Sequence, residues 1–439
     1  MQPTFIVLTE EKPNIDEIRL MLEIIDYKIP TSITNLDIRP KIIGNKFEGY
    51  MILEFNHIVI HIYLCKGMTS CIDYMLFKGD FNIRSGSASE VLVLLESTKT
   101  CDIISRNTAV YQRLSKFVMY DIMYPNSSPK KIMFYCNDQW KDKLTKTAEF
   151  GMKQMISLNI DIYTYNDNKE FINLKNKYNI NSFISCDEII ELKNIMKEKK
   201  GNESIRMYRE ENNIVISLKL DKRNCIGKIS HDPNVGFLIG ILNIMKDRND
   251  IPEKYIIKNH HIDQDYFNKY PKSKLIYCLK DIPIEFENCE IKEKPIFSKP
   301  YFKIDTISEK VASILYELIL PYPIFFSNHG GCALTDMKGH DKIEKVGKNM
   351  HRPDLCYIKE ETNEIFIIEG KKEKEISKGI KQLSNEYLEN FIKKCLELYP
   401  KYIIKKGLCI LMNDISNYNN IEYPILFSLD KNGYFKYVQ

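Results

Sequence analysis

The segment from His351 to Glu373, HRPDLCYIKEETNEIFIIEGKKE, constrains the fold more than any other part of the chain. Its second half alternates, so that Ile365, Ile367, Glu369 and Lys371 fall on one face of an extended strand and Phe366, Ile368 and Gly370 on the other. Glu369 and Lys371 therefore share a face. Leu355 to Lys359 also reads as a strand, and a hairpin centred on Thr362 and Asn363 sets Asp354 opposite Lys371 and diagonal to Glu369. Two carboxylates and one ammonium then converge. The convergence depends on register, because a slip of one residue sends Asp354 to the other face.

Hard divalent cations such as Mg2+ take oxygen ligands and keep several waters, so Asp354, Glu369 and the carbonyl of Gly370 form a candidate metal site. Lys371 beside it can orient or deprotonate an attacking water and stabilise charge developing on phosphorus. The competing reading is a charged surface hairpin whose side chains form exposed ion pairs.

The flanking elements favour the first reading. Ser308 to Leu320 has helical spacing at Val311, Ile314, Leu315 and Leu318 and stops before Pro321. Ile376 to Leu398 reads as one long amphipathic helix, and Gly407 to Met412 as a buried strand. With an extra strand at Ile324 to Phe326 or Cys332 to Leu334, the order is helix, three strands, helix, strand. From about residue 305 to 412 the chain resembles the PD-(D/E)xK nuclease superfamily, with Pro353-Asp354 and Glu369-Gly370-Lys371 as its signature. The resemblance implies an α/β fold with a restriction-endonuclease-like core, and Mg2+-dependent phosphodiester hydrolysis with Asp354, Glu369 and Lys371 as catalytic residues.

The amino-terminal half repeats that order of elements. A helix is expected at Asn14 to Ile25, strands at Tyr50 to Phe55, Ile58 to Leu64 and Val91 to Glu96, a helix at Ser105 to Val118 and a strand at Ile132 to Cys136. Within it, Glu96 ends an apolar strand and Lys99 follows, while Asp80 is the candidate first carboxylate of a second catalytic and metal site. Glu96 and Lys99 are three apart, which puts them on opposite faces of a regular strand unless a bulge intervenes. Arg106, Arg113 and Lys116 lie on the following helix and can contact DNA phosphates. Three readings stay open: a second active site, an inactive nuclease-like module, or a DNA-recognition helix.

The rest of the chain bounds these readings. It has 439 residues, 44% of them hydrophobic, enough for two or three domains. Its 63 basic and 59 acidic residues leave a net charge of +4, so any nucleic-acid site must come from local patches. No apolar run approaches the roughly 18 residues of a membrane span, and a cytoplasmic protein is expected. Twelve cysteines without a CxxC pair argue against a zinc ribbon and a disulfide scaffold. His329, Cys332, His340, His351 and Cys356 supply zinc-compatible ligand types, but at spacings of no common module. A polar stretch between Lys193 and Asn213 suggests a boundary, giving 1–165 as a nuclease-like or recognition domain, 166–300 as a middle region and 301–439 as the nuclease domain.

The function expected is a Mg2+-dependent endonuclease cutting double-stranded DNA, resembling type II restriction enzymes and acting as a homodimer. The alternatives are a nuclease of another defence or repair role, acting on RNA or branched DNA, and a non-catalytic DNA-binding protein on a nuclease-like scaffold.

Overall fold

The computed structural model describes most of the chain; outside the described residues lie chiefly 34–41, 66–71, 84–89, 99–108, 197–204, 221–232, 328–350 and 430–434, with shorter stretches between them. The protein is mixed α/β, and its sheets contain both parallel and antiparallel pairs. It divides into two compact units, each discontinuous in sequence. The first comprises Met1–Ile15, Pro30–Lys66 and Ile304–Gln439, the second Asp16–Ile29 and Gly67–Lys303. Among the described residues, no helix is long and apolar enough to cross a membrane.

In the second unit, helix α1 (Ile15–Glu23) carries Asp16 and Glu17 in its first turn, where acidic side chains suit the helix dipole. Strand β1 (Tyr74–Lys78) pairs antiparallel with β2 (Val91–Thr98), in register Tyr74 to Leu95. Helix α2 (Ala109–Met123) then crosses to β3 (Lys130–Tyr135), which runs parallel to β2. The strands Ile160–Tyr165 and Phe171–Asn173 extend this sheet beyond β3. The apolar helix Pro233–Met245 is buried as its composition implies. Gly240 brings it close to α2, since a Cβ there would lie 3.6 Å from Leu114 Cδ1. A separate four-stranded sheet holds Arg206–Glu210, Asn213–Ser217, Tyr255–Lys258 and Ile284–Phe286.

In the first unit, helix α3 (Glu309–Ile319) precedes strands β4 (Ile324–Ser327), β5 (Leu355–Lys359) and β6 (Glu364–Lys372). Helices α4 (Ile376–Gln382) and α5 (Asn385–Leu398) lead to β7 (Ile403–Leu411). The strands β4, β5, β6, β7, Pro424–Leu429 and Phe435–Val438 form one sheet in sequence order. β5 is antiparallel to both β4 and β6, and β6 is parallel to β7. Ile365 and Ile367 of β6 are fully buried with Leu388, Phe391 and Cys395 of α5 and Leu408 and Ile410 of β7. Each such side chain contributes about 1.5–3 kcal/mol by leaving water, and together they fix which face of β6 turns inward. In the same unit, Thr4–Thr9 pairs in parallel with Ile58–Leu64, which pairs antiparallel with Tyr50–Phe55.

Two expectations are corrected here. The single helix expected from Ile376 to Leu398 is two helices, because Ser384 turns out of the first and its side chain accepts the Tyr387 amide at 3.3 Å as the N-cap of the second. The strands Thr4–Thr9 and Tyr74–Lys78 were not anticipated.

Candidate active site

The hairpin β5–β6 forms because both strands are rich in β-branched and aromatic residues that pack on their neighbours. Its connection is a 3-10 turn over Glu360–Thr362 followed by Asn363 at φ 53, a left-handed conformation that asparagine tolerates better than most residues. The turn sets the register. Leu355 pairs with Ile368, so Asp354 stands opposite Glu369 one step further along, and not opposite Lys371 as the tighter hairpin would require. Asp354 itself stands just ahead of β5, and its Oδ2 meets the amide of Gly370, the residue between Glu369 and Lys371.

Asp354 is fixed from both ends. Its amide donates to the Ile368 carbonyl at 3.1 Å, and its Oδ2 accepts the Gly370 amide at 2.7 Å. Bonds from backbone amides to a carboxylate are short and strong, which holds this oxygen in place. Glu369 and Lys371 are 2% and 3% exposed. Lys371 Nζ donates to Glu369 Oε2 at 3.0 Å and to the Gly370 carbonyl at 2.7 Å. Burying such a pair is expensive unless each charge meets its partner, so the two residues are coupled.

Two further residues shape the site. His351 Nε2 lies 2.5 Å from Glu369 Oε1, and its ring meets Tyr387 of α5 edge-on at 4.4 Å. Glu369 is thereby held on one oxygen by His351 and on the other by Lys371. Gly379 of α4 lies against Lys371, since a Cβ at this position would sit 2.7 Å from Lys371 Cγ and 2.4 Å from Leu408 Cδ1. In the sequence His351 stands out only as a zinc-compatible residue, and Gly379 carries no signal. The visible signal for His351 was its position three residues before Asp354.

The candidate ligands, the carboxylates of Asp354 and Glu369 and the Gly370 carbonyl, are the hard oxygen set that suits Mg2+. The Gly370 carbonyl already accepts from Lys371, and its second lone pair is the one a cation would use. Among the described residues, no group of three or more His, Cys, Asp or Glu side chains is arranged to hold a metal, so water would complete the coordination. Of the zinc-compatible residues, Cys356 is buried in the core beside Cys395; burial and that neighbour push its thiol well up. His329, Cys332 and His340 lie outside the described residues. Cys409, paired in register with Gly370, is also a buried free thiol, raised by burial and by the charge of Asp354.

The amino-terminal residues assemble differently from expectation. Asp80 is exposed in the turn at the far end of β1, and Asp73 is the carboxylate opposite Glu96. Asp73 donates its amide to Glu96 Oε1 at 2.9 Å, and its Oδ2 accepts the Ser97 amide at 3.0 Å. Lys99 and Arg106 lie outside the described residues. Lys116 and Arg113 reach back from α2, with Lys116 Nζ 2.6 Å from Glu96 Oε1 and 3.2 Å from Asp73 Oδ1, and Arg113 Nε 3.6 Å from Glu96 Oε2. Both Lys116 and Arg113 thus lie against carboxylates of their own unit. Glu96 is 1% exposed, and burial together with the charge of Asp73 pushes its carboxyl up to about 8. Burial would raise Asp73 as well, but Lys116 and Arg113 hold it below the ordinary aspartate range. On the other face of β2, Ser97 Oγ donates to Glu17 Oε1 at 2.8 Å, and burial raises the Glu17 carboxyl. Comparison of the chain with protein-family models, with curated proteins and with solved structures finds no match.

Proposed function

We propose that this protein is a Mg2+-dependent endonuclease that hydrolyses phosphodiester bonds of double-stranded DNA, with a restriction-endonuclease-like core in its first unit and with Asp354, Glu369 and Lys371 as its catalytic residues. The observation that carries this reading is the convergence of a backbone-anchored aspartate, a buried glutamate and its partner lysine at one end of a hairpin. The order helix, three strands, helices, strand around that hairpin supports it.

Asp354, Glu369 and the Gly370 carbonyl would hold the cation, which when bound lowers the pKa of a coordinated water and neutralises charge on the phosphate. Asp354 keeps its orientation through the Gly370 amide, and Glu369 through His351 and Lys371. As an ammonium, Lys371 would orient the attacking water and offset charge developing on the phosphate; to take the water's proton it must first give up its own, as a neutral amine. Cutting both strands requires two such sites, and a homodimer supplies them.

Purified protein incubated with supercoiled plasmid, with and without Mg2+, tests the reading. Linear product that requires both Mg2+ and Asp354 is expected. Metal-dependent cleavage that persists in Asp354→Ala would place the chemistry elsewhere, and cleavage confined to RNA or to branched DNA in parallel reactions would change the substrate while keeping the site.

A further inference from the structure

The two units contain the same small device. In the first, Asp354 precedes β5 and stands opposite Glu369, and the residue after the glutamate donates its amide to Asp354 Oδ2 at 2.7 Å. In the second, Asp73 precedes β1 and stands opposite Glu96, and the residue after the glutamate donates its amide to Asp73 Oδ2 at 3.0 Å. Both glutamates are buried, at 2% and 1% exposure. In both, the glutamate strand runs parallel to the strand that follows the next helical segment. Carboxylate, register and amide bond correspond residue for residue, although the sequences around them do not.

The devices differ in where their lysine comes from. In the first unit it is Lys371, two residues after the glutamate, and its ammonium lies on Glu369 Oε2 and the Gly370 carbonyl. In the second unit that strand position is Thr98, and the ammonium arrives from α2 instead. Lys116 Nζ lies between the two carboxylates, 2.6 Å from Glu96 Oε1 and 3.2 Å from Asp73 Oδ1. Arg113, one turn earlier, adds a second positive charge at 3.6 Å from Glu96 Oε2. The backbone of α2 is pinned at that point, because Tyr301, 2% exposed, donates its hydroxyl to the Lys116 carbonyl at 3.0 Å. A point between two facing carboxylates is where a hard cation would sit, and a lysine ammonium and a divalent ion compete for it on charge alone.

We propose that the second unit carries a cation site whose occupant is the protein's own Lys116, so that Asp73 and Glu96 take up no divalent metal while that ammonium bridges them. Removing the ammonium uncovers a latent metal site. The inference rests on the reading of Asp354 and Glu369 as a metal site for its parallel, and it leaves one metal-binding device per chain, which makes a second copy of this chain the source of the second cut.

Equilibrium binding of Mn2+ to the full-length protein, read from the electron paramagnetic resonance of the free ion, tests it. The wild type is expected to bind one equivalent that disappears in Asp354→Ala. Lys116→Met is expected to bind one more, which survives Asp354→Ala and disappears when Glu96→Gln is added. Two equivalents in the wild type, one of them lost in Glu96→Gln, overturn the proposal, as does a folded Lys116→Met that gains none. A wild type that binds none refutes the metal reading of Asp354 and Glu369; a gain of one equivalent in Lys116→Met would still sustain the tethered cation. Should Lys116→Met fail to fold, Glu96→Gln alone decides: an unchanged count supports the proposal and a lost equivalent overturns it.

Discussion

The Gly370 amide donates to Asp354 Oδ2 at 2.7 Å, and this bond joins the residue between the catalytic glutamate and lysine of the proposed site to the aspartate across the hairpin. Any movement of Asp354 is therefore transmitted to the backbone that positions Glu369 and Lys371. The first prediction concerns that lysine.

Lys371→Met removes an ammonium that is 3.0 Å from Glu369 and leaves a buried carboxylate with one fewer partner. Removing one partner of a buried pair costs about 3–5 kcal/mol, so the single variant should be less stable than the wild type. Glu369→Gln combined with Lys371→Met should recover part of that loss, while both variants should cut DNA far more slowly than the wild type. Loss of a proton-transfer group alone costs about 100- to 10,000-fold in rate. Single-turnover cleavage and urea unfolding, measured on the same preparations, separate the two effects; a Lys371→Met enzyme with wild-type turnover would remove the lysine from the chemistry.

His351 gives the second prediction. It lies 2.5 Å from Glu369 Oε1 and is backed by Tyr387, an arrangement that orients the carboxylate. Residues that orient metal ligands typically contribute about 10- to 100-fold in metal affinity or activity. His351→Phe should raise the Mg2+ concentration giving half-maximal cleavage by about that factor and leave the rate at saturating Mg2+ much closer to wild type. If the Mg2+ requirement stays fixed while the saturated rate collapses, His351 does more than orient Glu369.

The hairpin was legible from the alternation of Ile365 to Lys371, because one face of β6 is committed to the core and its polar end residues follow that commitment. Its register was not, since two turns with equal polar composition differ only in whether Asn363 alone takes a left-handed φ after a 3-10 turn. Asp73 was missed for a related reason. Four apolar residues, Tyr74 to Phe77, are too few to distinguish a strand from a loop, although Asp73 ahead of them matches Asp354 ahead of Leu355 to Ile358. Lys116 was legible as a basic residue of the helix but not as the partner of Glu96, because it lies twenty residues beyond and reaches that carboxyl only through the crossover of α2.

Gly379 supplies the third prediction. A methyl group there would meet Lys371 Cγ at 2.7 Å and Leu408 Cδ1 at 2.4 Å, so either the side chains shift or α4 moves outward. Overpacking of this kind costs about 1–3 kcal/mol. Gly379→Ala should lower stability by that amount and reduce the cleavage rate by displacing Lys371, while Gly240→Ala in the second unit, whose methyl meets only ordinary contacts from 3.6 Å outward, should leave cleavage unaffected. Equal cleavage by both variants would show that the Lys371 side chain is not confined by α4.

The last prediction follows from Glu96. Its carboxyl titrates at about 8 in the folded protein, so between the ordinary glutamate value and about pH 8 the folded state keeps a proton that the unfolded chain has released. Stability therefore falls as pH rises through that window, with a slope of at most about 1.4 kcal/mol per pH unit from this residue. The raised Glu17 carboxyl adds the same sign, whereas the lowered Asp73 acts only at more acidic pH. Trp140, the single tryptophan, lies in the same unit, buried, with its indole N–H on Thr164 Oγ1 at 3.1 Å, and its fluorescence reports unfolding of that unit in urea. The unfolding free energy measured this way should decline from about pH 5 to about pH 8, and Glu96→Gln should flatten the decline, because the amide cannot lose the proton. A stability that climbs across the same range would mean that Lys116 and Arg113 keep Glu96 ionised throughout, with the carboxylate pair carrying two full negative charges.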